Sequence, residues 1–367
     1  MSASTLLLGS GTSSQVGSAG SAPQHMSDAT PVEVRGVHID TILGPAADRY
    51  FGSGYRRVLP RIVGLAWHSD PHADPPGGGG SAGRRANGLA EVRYPADWSC
   101  KDGSAAAPHL SSIDALTLSV WLVEAFLANG YHVGADQASR AWLRRFVMKS
   151  GATPHVDLDH VQLHIVERER HPSQSTPDGW SSHFDCDVGN IRVRCEIEHD
   201  VDFPIRPVDP DRRRLDVPAA PHHSVGYQNH LHDIADVILD TPNRLASATV
   251  RTVDAAALTP GADHPSTYLA DSTIVLAQLG QALLYRLDDL DRTQSSTLWM
   301  RRVDMWRDNP YQPLDVAVPC TTSVKRSSIV EHDGARWRVS NMAGTHGGTT
   351  VRYSVGHQLP GTGDGTR

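Results

Sequence analysis

The 367-residue sequence predicts an α+β chain built twice over, with one buried helix and one antiparallel sheet in each copy, and three observations carry that reading. The stretch Pro108 to Gly130, PHLSSIDALTLSVWLVEAFLANG, is apolar on nearly every helical face, as a helix enclosed by other elements must be. A second stretch, DHPSTYLADSTIVLAQLGQALLYRL from Asp263 to Leu287, overlays it at a constant displacement of 157 positions: Pro108 meets Pro265, Asp114 meets Asp271, Leu122 meets Leu279 and Ala125 meets Ala282. The register continues without a gap into Trp142, Arg144 and Arg145, which meet Trp299, Arg301 and Arg302.

Each helix has the same surroundings. A strand-like entry precedes it, LAEVRYP (Leu89 to Pro95) in the first copy and SATVRTV (Ser247 to Val253) in the second. Alternating and β-branched runs follow: WLRRFVMKSG, DHVQLHIVERE and HFDCDVGNIRVRCEIEHD, then TLWMRRVDMW, LDVAVPCTTSVKRSSIV, ARWRVSNMAG and TTVRYSVGH. A sheet wrapped around one helix is the hot-dog arrangement. The expected fold is therefore a tandem double hot-dog, two antiparallel sheets each wrapped around a central helix, paired edge to edge as a pseudo-dimer so that neither presents a bare edge.

Domain limits follow from composition. Residues 1–30, rich in Ser, Gly, Ala and Thr, are expected to be a disordered leader, and 359–367 a disordered tail. The first repeat spans 31–210 and the second 211–358; within the first, the Pro/Gly-rich SDPHADPPGGGGSAG (69–83) is expected to be a flexible connection between two strands.

A net charge of -7 gives no basic excess for nucleic acid, and the Arg-rich VERERH (Val166 to His171) and DRRRLD (Asp211 to Asp216) read as solvated loops because acids interleave them. The N-terminus has only Leu6 to Leu8 as an apolar run and no basic residue before it, so it lacks the parts of a signal peptide, and no stretch reads as a membrane span because even Ser111 to Gly130 carries Asp114 and Glu124. Four cysteines lie far apart without a C-x-x-C pair, as in a reducing cytoplasm. Phosphate-loop and dinucleotide motifs are absent. His222, His223, His230 and His232 crowd PHHSVGYQNHLHD on what reads as an exposed linker between the repeats, where they could gather zinc adventitiously, but their spacing does not suggest a metal site, and none is expected.

The segments TILGPAADRYFGSGYRRV (Thr41 to Val58), VRYPADWSCK (Val92 to Lys101) and PHLSSIDAL (Pro108 to Leu116) resemble the avirulence D (AvrD) family, linked to syringolide-type acyl-sugar lactone elicitors, from about residue 38 to 358. More widely, the chain is similar to double hot-dog enzymes of acyl thioesters, including A-factor-type butenolide synthases and β-hydroxyacyl dehydratases. That resemblance implies an acyltransferase-type enzyme joining a β-ketoacyl group, carried by coenzyme A or an acyl carrier protein, to a small polyol or keto-sugar. No further cofactor is implied. A monomeric pseudo-dimer or a homodimer, with no nucleic acid and no membrane as partner, is expected.

The residues support a site at the helix starts. In such a fold the acyl chain enters between the two central helices, and the thioester carbonyl stops where the positive helix ends can stabilise an oxyanion. Asp114, with Asp271 as its counterpart, is placed there, where burial would raise its pKa and fit it for proton transfer; the bland alternative is a helix cap worth roughly 1 kcal/mol. Ser111 and Ser112, and Ser266 and Thr267 in the second copy, are candidate capping residues. His109 is a candidate general base. The dehydratases place their histidine in a Gly-His-Phe-like loop, and the matching loop here, DWSCKDG, has none, which argues against dehydration. That loop instead offers Trp98, Ser99 and Lys101 for a polar acceptor. Glu124, about three turns beyond Asp114, needs a partner if buried, for which Arg144 or Arg145, or their repeats Arg301 and Arg302, are the candidates; its replacement by Gln281 in the second copy fits one active and one degenerate half.

Overall fold

The computed structural model of the chain describes residues 34–68, 84–101, 104–105, 107–131, 137, 140–173, 179–200, 213–219, 225–254, 266–295 and 298–360. The leader expected over 1–30, the insert 69–83, most of the expected tail, and His222 and His223 lie outside the described residues.

Two long helices form the centre. Helix α2 (Ser112–Tyr131) buries sixteen of its twenty residues and α3 (Leu269–Leu287) fifteen of nineteen, which makes both core elements rather than surface ones. A short helix α1 (Ile39–Leu43) packs on α3. By length and hydropathy α2 is long and apolar enough to cross a membrane, contrary to the expectation from Asp114 and Glu124, and 83% of its most apolar window is buried inside the protein.

The strands fall into two sets. The first half has β2 (Leu59–Trp67), β3 (Arg85–Arg93), β6 (Trp142–Lys149), β7 (Val161–Pro172), β8 (Trp180–Val188) and β9 (Ile191–His199). The second has β10 (His230–Asp240), β11 (Leu245–Asp254), β12 (Trp299–Arg307), β13 (Ala317–His332), β14 (Ala335–His346) and β15 (Thr349–Gln358). Two further pieces are β1 (Val34–Val37) and the small ribbon β4 (Cys100–Lys101) with β5 (Ser104–Ala105). The strand order β1-β10-β11-β13-β14-β15-β12-β6-β9-β8-β7-β3-β2 reads the same from each end toward the middle once β1 is set aside.

Two separate sheets were the expectation; the structure has one sheet of thirteen strands. The reason is edge satisfaction. Strands β6 and β12, equivalent in the repeat, would each end a half-sheet with unpaired backbone groups; they pair antiparallel, Met148 opposite Val303 and Phe146 opposite Met305. Helix α2 packs on β2, β3, β6, β8 and β9, and α3 on β10, β11, β13 and β14.

The outer edges are crossed over. Residues from Glu33 onward form one compact unit, and within it β1, assigned by sequence to the first repeat, pairs with β10 of the second half. Conversely Arg213 to Leu215, assigned to the second repeat, run along β2: Trp67 N donates to Arg213 O at 2.7 Å and Leu215 N to Leu65 O at 2.9 Å. DRRRLD is thus in part a strand-like edge segment, and VERERH lies within β7 with Val166 and Glu167 buried, not in a solvated loop. Glu167 sits under the hydroxyl of Tyr131.

Two short 3-10 turns, Gly54–Arg57 and Gly226–Asn229, precede β2 and β10 and pack against each other, with Tyr55 and Tyr227 stacked at 5.9 Å between centroids. Both turns need glycine for close approach: a Cβ at Gly54 would collide with the Trp98 carbonyl oxygen and one at Gly226 with the Tyr268 hydroxyl.

Candidate active site

The turn entering α2 is a polar knot. Asp114 is 1% exposed, and its Oδ2 accepts from Ser111 N at 2.8 Å and from the hydroxyl of Tyr94. Ser111 Oγ in return accepts from Asp114 N at 3.1 Å, a reciprocal cap, and shares a 2.7 Å hydrogen bond with Tyr50 Oη. Asp114 Oδ1 receives no hydrogen bond from a described residue, so half of the carboxyl is left for a proton or a ligand. Burial is the largest influence on Asp114 and raises its pKa above the ordinary carboxylate value, against the Tyr94 and Ser111 hydrogen bonds that favour the anion. Burial, with Asp114 nearby, also raises the Tyr50 and Tyr94 phenols, which keeps both as proton carriers.

A cavity of about 510 Å³ opens beside this knot. Its near wall has Tyr50, Trp98, Ser99, His109, Ser111 and Ser112; its far wall comes from the other half, with Gln278, Gln281 and Leu284 of α3 and Met300, Tyr353 and Val355 of the sheet. Asp114 itself stands one layer behind the wall, reached through Ser111. Trp98 meets the Tyr50 and Tyr94 rings edge-on at 5.2 and 4.9 Å and the His109 ring at 6.1 Å. His109 Nδ1 lies 3.3 Å from Ala107 O.

The turn entering α3 is different. Asp271 is fully buried; its Oδ2 accepts from Tyr268 N at 2.6 Å and pairs with His230 Nδ1 at 2.9 Å, while Oδ1 pairs with His232 Nε2 at 2.8 Å. Tyr55, reaching over from the first half, donates to His230 O at 3.0 Å and lies 3.2 Å from His232 Nδ1. Burial alone would raise Asp271, but the charge and hydrogen bond of His230, then those of His232, outweigh it and hold the carboxylate well below its usual range. His230 is lowered by burial and raised more strongly by Asp271, ending above the ordinary imidazole value. Arg307, with its Nη1 on Thr267 O at 2.8 Å, is pushed down to about 10 by burial. Next in the helix, Ser272 Oγ meets His346 Nδ1 at 3.1 Å, and burial, with His232 nearby, lowers His346 to about 4, a neutral ring.

The expected site residues divide accordingly. Asp114, His109, Trp98 and Ser99 gather at the first helix start. Lys101 lies in β4, and its side chain is outside the described residues. Glu124 is half-buried rather than deep and acts electrostatically on Tyr268, at the second helix start; its repeat Gln281 faces the cavity. Arg144 and Arg145 do not join the cavity: Arg144 pairs with Glu198 at 3.1 Å, Arg145 grips Asp304 at 3.0 and 2.9 Å, and both line a separate surface pocket, because the alternation of β6 turns them away from α2. Of their repeats, Arg301 lines the cavity. Ser266 is no cap for α3: the capping position is Tyr268, and Ser266 Oγ is turned to the carbonyls of Pro310 and Gln312.

His230 and His232 are not on an exposed linker. They lie in β10, where His-x-His alternation sends both rings to the same face, inward onto Asp271. That period of two in HLHDIADVILD was the available signal. Tyr55 and Tyr227 had one too: Gly54-Tyr55 recurs as Gly226-Tyr227 at a displacement of 172, which exceeds 157 by the fifteen residues of the 69–83 insert. Among the described residues no group of three or more His, Cys, Asp or Glu is arranged to hold a metal ion.

A single antiparallel sheet carrying two buried helices, each opening on a buried aspartate and one flanked by a cavity, defines a duplicated α+β protein with a candidate acid–base site. The chain belongs to the AvrD family: residues 37–360 match the family model described as Pseudomonas avirulence D protein (AvrD). No curated protein matches. Among solved structures, it is similar to the tesB protein of Mycobacterium avium subsp. paratuberculosis, at 11% identity and TM-score 0.35, over 76% of this chain and 93% of that one. It is also similar to a conserved hot-dog-fold protein of Alicyclobacillus acidocaldarius, at 9% identity and TM-score 0.33 over 76% and 94% of the two chains. A third similar structure is the dehydratase domain of a mycocerosic acid synthase-like polyketide synthase, at 12% identity and TM-score 0.28 over 82% and 96%.

Proposed function

We propose that the protein is a tandem hot-dog pseudo-dimer that transfers a β-ketoacyl group from a coenzyme A or carrier-protein thioester to a small polyol or keto-sugar, yielding an acyl-sugar lactone of the syringolide type or a butenolide-type signal molecule. The observation that carries the reading is the buried Asp114 carboxyl, raised in pKa and with one oxygen unengaged by the described residues, behind the wall of a mainly apolar cavity. In this reading the acyl chain lies against Leu284, Met342 and Val355 and the thioester carbonyl stops at the α2 start. The acceptor hydroxyl adds to that carbonyl, the α2 helix end stabilises the oxyanion, and collapse breaks the C–S bond. Asp114, through Ser111 and Tyr50, takes the hydroxyl proton and returns it to the leaving thiolate, with His109 as a second base at the rim. Trp98, Ser99 and Lys101 bind the acceptor. The four free thiols fit a cytoplasmic setting, and the acyl carrier protein, if used, is the one macromolecular partner proposed.

A second reading, hydration or dehydration of a hydroxyacyl thioester, is favoured by one observation: the imidazoles that the loop lacks stand on Asp271 from β10. Incubation with a β-ketoacyl thioester and candidate polyols, followed by mass spectrometry, separates these. A product of acyl plus polyol mass supports transfer; loss of water from a hydroxyacyl thioester supports dehydration; no product with either leaves acyl binding alone and refutes the enzyme reading.

A further inference from the structure

The cavity wall is electrically one-sided. Arg49, Arg292 and Arg301 contribute to it, and among the described lining residues there is no Asp or Glu, in a chain whose net charge is -7.

Two of these guanidinium groups are neighbours at the end nearest Tyr50. Arg49 is fixed: its side chain is 4% exposed, Nη1 donates to Gln278 Oε1 at 2.7 Å, Nε to Pro45 O at 3.3 Å, and Nη2 is ion-paired with Asp40. Arg292 is held only by carbonyls, Nη2 donating to Asp48 O at 2.6 Å and to Cys100 O at 2.9 Å, and no described carboxylate is within ion-pair range. Burial lowers the pKa of both, and their mutual repulsion lowers Arg49 further. A half-buried cation set beside another without a carboxylate of its own is unfavourable unless an anion arrives to meet it. The planar fork of a guanidinium suits phosphate oxygens, which it can meet with two parallel hydrogen bonds.

We propose that the cavity recognises a phosphorylated substrate, its phosphate held by Arg292 with Arg49 behind. This rests on the transfer reading for what is bound: the phosphate is either that of the pantetheine arm carrying the acyl group or one on the polyol acceptor.

The test is calorimetric titration of the full-length protein with four probes: 4'-phosphopantetheine against pantetheine, and glycerol 3-phosphate against glycerol. The phosphorylated member of one pair binds at least tenfold tighter; which pair does so names the source. Arg292→Gln abolishes the preference without weakening the neutral member, and Arg292→Lys, which keeps the charge and loses the fork, retains part of it. Melting of each variant establishes that it is folded, and the wild-type probe pairs decide the matter even where a variant is not. Equal binding of phosphorylated and neutral probes by the wild type, or a preference untouched in folded Arg292→Gln, overturns the proposal. Thioester consumption is measured separately. A phosphate preference without any turnover retires the transfer reading and leaves the subsite standing, whereas turnover with no phosphate preference retires the subsite alone.

Discussion

Asp114 and Asp271 occupy equivalent first turns, 157 positions apart, yet burial drives the first toward its neutral acid while two imidazoles hold the second as an anion. The backbone setting is shared, since Ser111 N and Tyr268 N each donate to the carboxylate three residues on. The side chains brought in from elsewhere differ. Tyr94 and Tyr50 surround Asp114 with neutral phenols; His230 and His232 give Asp271 a charge partner. A duplicated sequence can therefore put one residue type to two chemical uses, because pKa is set by neighbours in space.

The largest expected effect separates the two on activity. Asp114→Asn keeps the cap geometry and removes the titrating group, so kcat for thioester consumption should fall by roughly 10²-fold or more, while unfolding free energy moves by no more than about 1–2 kcal/mol. Loss of folding in this variant would reduce Asp114 to structure.

Asp271→Ala should do the reverse and act first on stability. It strands buried His230 and His232 without their carboxylate, a change of about 3–5 kcal/mol by analogy with other broken buried pairs, read from the denaturant midpoint. A midpoint shifted no more than that of Asp114→Asn would erase the distinction.

The pH dependence sharpens the contrast. Asp271, held below its usual 3.8, contributes stability above about pH 4 that is lost as the pH falls through its folded value. His230, raised above 6.5, contributes below that pH and loses its share as the pH rises through its folded value. These describe one ion pair and do not add. Asp114, raised above 3.8, is more stable protonated, so its share also declines as the pH rises through its folded value. From pH 5 to pH 8 the wild type should therefore lose more stability than either Asp114→Asn or His230→Gln; parallel curves for all three would contradict the assignments.

The smallest effect tests the exchange between halves. Tyr55→Phe removes the donor to His230 O, and about 1 kcal/mol of stability should go with it. In the Asp271→Ala background the loss should shrink if Tyr55 acts on the histidine cluster, which a double-mutant cycle measures.

Much of the architecture was readable from residue order. The 157-residue displacement located both central helices and aligned β6 with β12, because a buried helix and a half-buried strand impose periods that survive duplication. Asp114 was also readable, as the one acid opening an apolar run. The histidines on β10 were missed since a His-rich stretch beside Pro and Gly resembles a linker unless its period of two is counted. Arg144 and Arg145 were assigned inward, but adjacency in sequence cannot tell which face of a strand a side chain takes when a bulge interrupts the register, as one does between Leu143 and Arg145.

Sequence by itself determined the duplication, the two buried helices and an aspartate at the head of each, because hydrophobic period and repeat spacing are local properties of the chain. Only the tertiary structure decided that the halves share one sheet, that Tyr55 crosses over to the histidines of the other half, and that arginines far apart in sequence line one cavity. Those outcomes depend on contacts between residues up to some two hundred positions apart, and no local pattern encodes which distant edge or charge will be the neighbour.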